Sequence, residues 1–295
     1  MSLIEHSSGG FKPENIVWIV GTARTGSTWL GSMMRTLKGH RRWHEPGLRE
    51  LFGSALHPRD DAATFKSSHK EDRLKSIRAI VLGEANARFA KRSKRVNQRA
   101  HYLVIQKPNG STEVPWLLEA VPESRVIFLV RDPRDIVASQ LDAYQKGSWA
   151  YMNYTPVVPD SDEHVREVPH SLADTNPDAF VENAANRCLR DLGAVKRAYD
   201  LHRGPKVLVR YEGLRANTLG EMKRIYSTLG MEVVEEELAR VVEKHSWENI
   251  PEGEKGKGKI KRKAIPGGWR DDLLPEQVAV VETITAPLLK EFYPK

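Results

Sequence analysis

The sequence predicts an α/β fold: a three-layer sandwich with a central parallel sheet of about four or five strands flanked by helices. Three observations carry this. Short apolar runs recur along the chain, segments of helical period separate them, and the first run enters a helix through a glycine-rich loop. Strands buried on both faces read as continuous apolar runs, and alternation of strand with helix gives a parallel sheet. With 295 residues, 40% hydrophobic and 29% charged, the chain suits a single globular domain over 1–295.

The elements follow in order. Ile16–Val20 (IVWIV) is a buried strand ending at Gly21, and Trp29, Leu30, Met33, Met34 and Leu37 then recur at helical spacing. Residues 41–60, with Pro46, Gly47, Gly53 and Pro58, read as irregular. Leu74, Ile77, Ile80, Val81, Ala85 and Phe89 place an amphipathic helix over about 70–94. Tyr102–Gln106 and Arg125–Val130 are two further strands, the second followed by a helix through Tyr144 with Pro133 in its first turn. Residues 145–174, rich in proline, aspartate and aromatics without a period, read as an insertion or lid. Helix resumes over 177–202, Lys206–Arg210 is a fourth strand, and helices follow over 214–229 and 235–245. A basic segment over 252–268 reads as flexible before the last helix, 275–292.

Composition narrows the function. A net charge of +7 points to an anionic ligand, substrate or surface. The one cysteine, Cys188, has no internal partner for a disulfide, sits in a helical pattern and reads as a buried, inert thiol in a reducing compartment. No apolar run reaches the ~18–20 residues that span a bilayer, and the first residues lack a signal-peptide pattern. The expected location is cytoplasmic, without a membrane partner.

Two motifs carry chemistry. GTARTGST holds Gly21 and Gly26 at the spacing of the nucleotide loop G-x-x-x-x-G-K-(S/T), with Thr28 at its end, but Ser27 stands where the lysine would be. Backbone N–H groups of such a P-loop-like turn at a helix N-terminus form an anion site; a plain strand–helix turn is the bland alternative. Arg24 adds a fork of donors inside the loop. In VIFLVRDPRDIVASQL, Arg131 stands at a strand end and Ser139 eight residues later. Both could face one phosphate beside the first cradle, or Arg131 pairs with Asp135 as an ordinary ion pair.

Together the motifs resemble the sulfotransferases that use 3′-phosphoadenosine 5′-phosphosulfate (PAPS). GTARTGSTW is similar to that family's (Y/T/F)-P-(K/R)-S-G-(T/S)-T-W loop, with Ala23 for proline and Thr25 for serine. Arg131 and Ser139 match its arginine and serine for the 3′-phosphate. LVRYEGL resembles the strand-end Y-E-D-L, whose tyrosine lies near the adenine, with Gly213 for aspartate. KRKAIPGGWRDDL resembles the C-terminal R-K-G-x-x-G-D-W-(K/R) region, with Ala264 for its first glycine and Gly268 for the aspartate. The resemblance implies PAPS as sulfuryl donor, no metal, and in-line transfer to an acceptor hydroxyl. Arg24, Thr25, Gly26, Ser27, Thr28 and Trp29 would hold the phosphosulfate. Arg131, Ser139, Arg262 and Lys263 would hold the 3′-phosphate, and Tyr211 would approach the adenine. Lys107 would stand on the acceptor side and, with Arg24, stabilise the charge that builds on the oxygen bridging sulfur and phosphorus.

A general base must take the acceptor's proton. The phenol and steroid branch uses a histidine in K-x-H, where this chain has Lys107-Pro108-Asn109. The tyrosylprotein and carbohydrate branches use a glutamate about twenty residues beyond the loop arginine, and Glu45 lies 21 residues after Arg24. Glu45 is therefore the leading base, with His44 its competitor and Glu50 third. Trp149, Tyr151 and Tyr154 either line the acceptor pocket or pack the insertion onto the core. A carbohydrate or specialised metabolite is the favoured acceptor, with no specific nucleic acid partner, and the oligomeric state is undetermined. The rivals are a small-molecule kinase with a degenerate P-loop and a non-catalytic polyanion- or RNA-binding protein.

Overall fold

The structure, a computed structural model, describes residues 10–46, 67–84, 100–108, 113–153 and 172–294. Glu50, Tyr154, most of the expected insertion and the far end of the expected helix over 70–94 lie outside the described residues. Among the described residues five strands form one sheet: β1 Ile16–Val20, β2 His40–His44, β3 Tyr102–Lys107, β4 Arg125–Val130 and β5 Lys206–Arg210. Their order is β2-β3-β1-β4-β5 and every pairing is parallel, with Val20 opposite Lys107 on one side and Phe128 on the other.

Four strands lie where the apolar runs put them. β2 corrects the sequence reading, which took residues 41–60 as irregular. HRRWH shows no apolar run because β2 is an edge strand that fully buries only Trp43. A strand paired on one side and half wetted needs no second apolar face.

The helices are α1 Ser27–Thr36, α2 Ser67–Leu82, α3 Val114–Ala120, α4 Pro133–Tyr144, α5 Trp149–Asn153, α6 Leu172–Thr175 and α7 Pro177–Leu201. They continue with α8 Tyr211–Ala216, α9 Thr218–Thr228, α10 Glu235–Lys244, α11 Trp269–Asp272 and α12 Pro275–Phe292. α2 ends at Leu82, and residues 85–94 of the expected helix lie outside the described residues. The single helix expected over 214–229 is two, α8 and α9. Asn217 interrupts it, since its side chain accepts from the Gly220 N–H and caps α9 instead of continuing α8. None of the described helices is long and apolar enough to cross a membrane.

Alternation along the strands supplies both cores. Ile16, Trp18, Val20, Ile105 and Phe128 face α2, α3, α7 and α12, whereas Val17, Ile19, Val104 and Leu129 face α1, α9 and α10. Cys188 is buried in the first core, and burial raises its thiol pKa far above the usual range.

Three histidines make this packing sensitive to acid. His202 is buried with Nε2 2.8 Å from the Ser124 carbonyl, and burial lowers its pKa below the ordinary 6.5. Burial lowers His40 and His245 as well. The unfolded chain then takes up protons that the native state refuses, so stability is greatest above 6.5 and falls as the pH drops through it toward the folded values. Melting temperatures measured from pH 7.5 to 5 should fall across that window, with a shallower slope in His202→Gln.

Candidate active site

The chain passes from β1 to β2 on one side of the sheet and later to β4 on the other, so β1 lies at the switch point where ligands of open parallel sheets bind. The carboxyl ends of all five strands deliver candidate residues there: the 21–28 loop after β1, His44 and Glu45 at β2, Lys107 at β3, Arg131 after β4 and Tyr211 after β5.

The loop is shaped by close contacts. A Cβ on Gly21 would stand 2.4 Å from the Leu129 carbonyl oxygen. Gly26, with φ 92°, caps α1 in the left-handed region, and its face lies on the Tyr211 ring. The buried Thr25 hydroxyl donates to the Thr22 carbonyl at 2.8 Å and closes the turn. This leaves the first N–H groups of α1 pointing out of the helix, a partial positive charge aimed at whatever occupies the loop.

Three guanidinium groups converge on the same space. Arg131 is buried, its guanidinium 4.5 Å from the centre of the Tyr211 ring. One of its terminal nitrogens, Nη1, donates to the Arg24 carbonyl at 3.1 Å, and its buried Nε has no hydrogen-bond partner. Arg24 donates through Nε to Ser139 Oγ at 2.9 Å and through Nη2 to the Ile260 carbonyl at 3.0 Å. The arginine expected at the phosphosulfate and the serine expected at the 3′-phosphate therefore touch. Burial, then Arg131 and Arg262, lower the Arg24 pKa to about 10, which leaves it charged at neutral pH. Mutually repelling cations around an unspent buried donor are suited to a polyanion.

The C-terminal strap completes the wall. Asp135, fully buried on α4, accepts from the Gly267 N–H at 2.8 Å and the Trp269 N–H at 3.0 Å. Its approach to Arg131 is 3.7 Å, so the expected alternative ion pair exists, but its hydrogen bonds go to the strap. Gly258 N–H donates to Asp142 and its carbonyl accepts from Trp149 N–H, fixing the basic segment to α4 and α5. Arg262 and Lys263 both donate to Asp272, at 2.6 and 2.7 Å. Ala264 takes φ 54°, in the left-handed region that favours glycine, and its carbonyl accepts from Arg215. Arg24, the 26–29 turn, Arg131, Ser139, Tyr211 and residues 260–264 line one cavity of about 370 Å³.

Beside α1's N-terminus lie the candidates for the base. Glu45, half-buried at φ 42°, donates its N–H to the Gln106 carbonyl, and the Gln106 side-chain amide lies 3.3 Å from Glu45 Oε1. His44 is exposed. Lys107 is buried, with Nζ 2.8 Å from Glu113 and 3.2 Å from the Pro46 carbonyl. It does not line the cavity of Arg24 and Arg131.

The sequence profile of the sulfotransferase domain matches residues 14–293. The chain belongs to the sulfotransferase family. Solved structures agree on the fold at low identity. Mouse sulfotransferase SULT7A1, complexed with PAP, is 14% identical with a TM-score of 0.56, over 96% of this chain and 87% of that one. Sulfotransferase STF9 from Mycobacterium avium is 14% identical with a TM-score of 0.53, over 96% and 78%. Retinol dehydratase, in complex with androsterone and PAP, is 18% identical with a TM-score of 0.52, over 97% and 84%. No curated protein sequence matches.

In this sulfotransferase the loop and the residues after β4 and β5 line one cavity, and several residues join them that the motifs do not mark. Asp272 holds Arg262 and Lys263, and Arg215 lies over the Trp29 ring at 5.4 Å. The Trp29 indole donates to the His245 carbonyl, and Lys244, His245 and Trp247 form the far wall. These sit in helix ends and loops, where sequence period is silent. Gly26→Ala should destabilise this sulfotransferase by about 1–3 kcal/mol, because the new Cβ meets a left-handed backbone and, at 2.7 Å, the Tyr211 ring. Thermal denaturation of the variant checks it.

Proposed function

We propose that the cavity binds PAPS and that the protein moves its sulfuryl group to an acceptor hydroxyl, a carbohydrate or specialised metabolite being favoured. The observation that carries the reading is the buried, unpartnered Nε of Arg131 beside Ser139 and Arg24. The fit of these residues to a nucleotide with two anionic ends is good: one cationic cluster after β4, one helix N-terminus after β1, and the Tyr211 and Trp29 rings between them.

Bound PAPS would supply an activated sulfuryl group on a phosphate leaving group. Arg131, the Ser139 hydroxyl, Arg262 and Lys263 would hold the 3′-phosphate. N–H groups of Thr25 to Thr28 and the guanidinium of Arg24 would hold the phosphosulfate and stabilise the charge that gathers on the departing oxygen, an effect typically worth about 2.7–4 kcal/mol per donor. Glu45 would accept the acceptor's proton as the new O–S bond forms and the old one breaks. Its place beside Thr28 favours it over the exposed His44. Lys107, already bonded to Glu113 and the Pro46 carbonyl, would keep Pro46, next to Glu45, in place rather than act on the sulfuryl group.

The glutamate base, where the phenol and steroid branch has histidine, supports the carbohydrate and tyrosylprotein branches as the nearer relatives in chemistry. The test is release of adenosine 3′,5′-bisphosphate from PAPS with a panel of sugars, phenols and alcohols. Acceptor-dependent release supports the reading. Phosphoryl transfer from ATP with magnesium, and none from PAPS, would replace it with the kinase.

A further inference from the structure

Gln106 is a polar side chain in a fully buried position at the end of β3, in a strand otherwise apolar from Tyr102 to Ile105. Burying an amide there is costly unless its hydrogens are used. Its Nε2 lies 3.2 Å from Thr28 Oγ1, 3.3 Å from Ser27 Oγ and 3.3 Å from Glu45 Oε1, so two hydrogens serve three acceptors. Its Oε1 has no hydrogen-bond partner and lies against Gly31 of α1, where a Cβ would approach it to 3.0 Å. The arrangement leaves an unsatisfied carbonyl in a buried position, at a cost in stability.

We propose that Gln106 is a positioning residue that ties the base to the donor loop. By donating to Glu45 it keeps the carboxylate ionised and aimed beside the N-terminus of α1. By donating to Ser27 and Thr28 as well, it fixes where that carboxylate stands relative to the donor loop. The inference rests on Glu45 as the base. Charged and titratable groups near Glu45 among the described residues include Arg42, Lys107 bonded to the Pro46 carbonyl, and His44.

The experiment compares Gln106→Leu, Gln106→Glu and Glu45→Gln in turnover of PAPS with a working acceptor, in affinity for adenosine 3′,5′-bisphosphate, and in thermal stability. Gln106→Leu should lower kcat about 10-fold or more through a misplaced base, while bisphosphate affinity changes less than about threefold. The acid limb of its kcat profile should move up by about one pH unit, because the ionised carboxylate loses a donor. Gln106→Glu, with a like charge beside Glu45, should move that limb further in the same direction. Unchanged kcat and acid limb in Gln106→Leu, with Glu45→Gln inactive, overturn the role of Gln106 and leave the base intact. Loss of bisphosphate affinity in step with kcat means that Gln106 only holds the loop, and overturns it too. An active Glu45→Gln enzyme overturns the base itself and the inference with it. Thermal stability identifies an unfolded variant, and the Glu variant then carries the test.

Discussion

Glu45→Gln should turn over at least about 100-fold more slowly than the parent enzyme, while its affinity for adenosine 3′,5′-bisphosphate stays within about twofold. The amide keeps the size of the carboxylate and can still meet Gln106 after a flip, so the site keeps its shape and loses only a proton acceptor. Glu45 also stands outside the cluster of Arg24, Arg131 and Ser139, which is why binding is spared. Steady-state turnover and calorimetry on the same preparation separate the two quantities. Full turnover would hand the base to His44, and His44→Ala would then be the inactive variant.

Arg131→Ala has the largest expected effect on binding. The side chain is buried, its ring contact with Tyr211 fixes its plane, and its Nε has no partner. Removing it deletes a donor fork and leaves the 3′-phosphate in a desolvated site, an expected loss of about 2–4 kcal/mol, or roughly 30- to 1,000-fold in Kd. The loss should depend on the 3′-phosphate: adenosine 5′-monophosphate should bind parent and variant almost alike. An equal loss for both nucleotides would mean that Arg131 only supports the loop through the Arg24 carbonyl.

How much of this was legible in the sequence follows from where free energy is written as pattern. β1, β3, β4 and β5 bury both faces, so IVWIV, YLVIQ, RVIFLV and KVLVR stand out. β2 is half wetted at the sheet edge, and HRRWH carries no such mark. In the site, Gly26 was legible because a left-handed turn against Tyr211 admits little else, and Arg131 and Ser139 because they keep a fixed spacing of eight residues from the end of β4 into α4. Asp272 and Gln106 were not. Their roles depend on contacts with segments up to 79 residues away, and nothing local distinguishes a polar residue that is shared among three acceptors from one that ends a strand. For Lys107, its place after a strand suggested the acceptor side, and the structure adds an ion pair with Glu113, six residues on in the chain, that no local pattern announced.

The central claim is that these cations form a site for a 3′-phosphorylated nucleotide rather than for a triphosphate. Calorimetric titration with adenosine 3′,5′-bisphosphate, beside ATP with and without magnesium, tests it most directly. The account predicts tight binding of the bisphosphate that is independent of magnesium and lost in Arg131→Ala. Preference for ATP with magnesium, or no binding of either nucleotide, would contradict it.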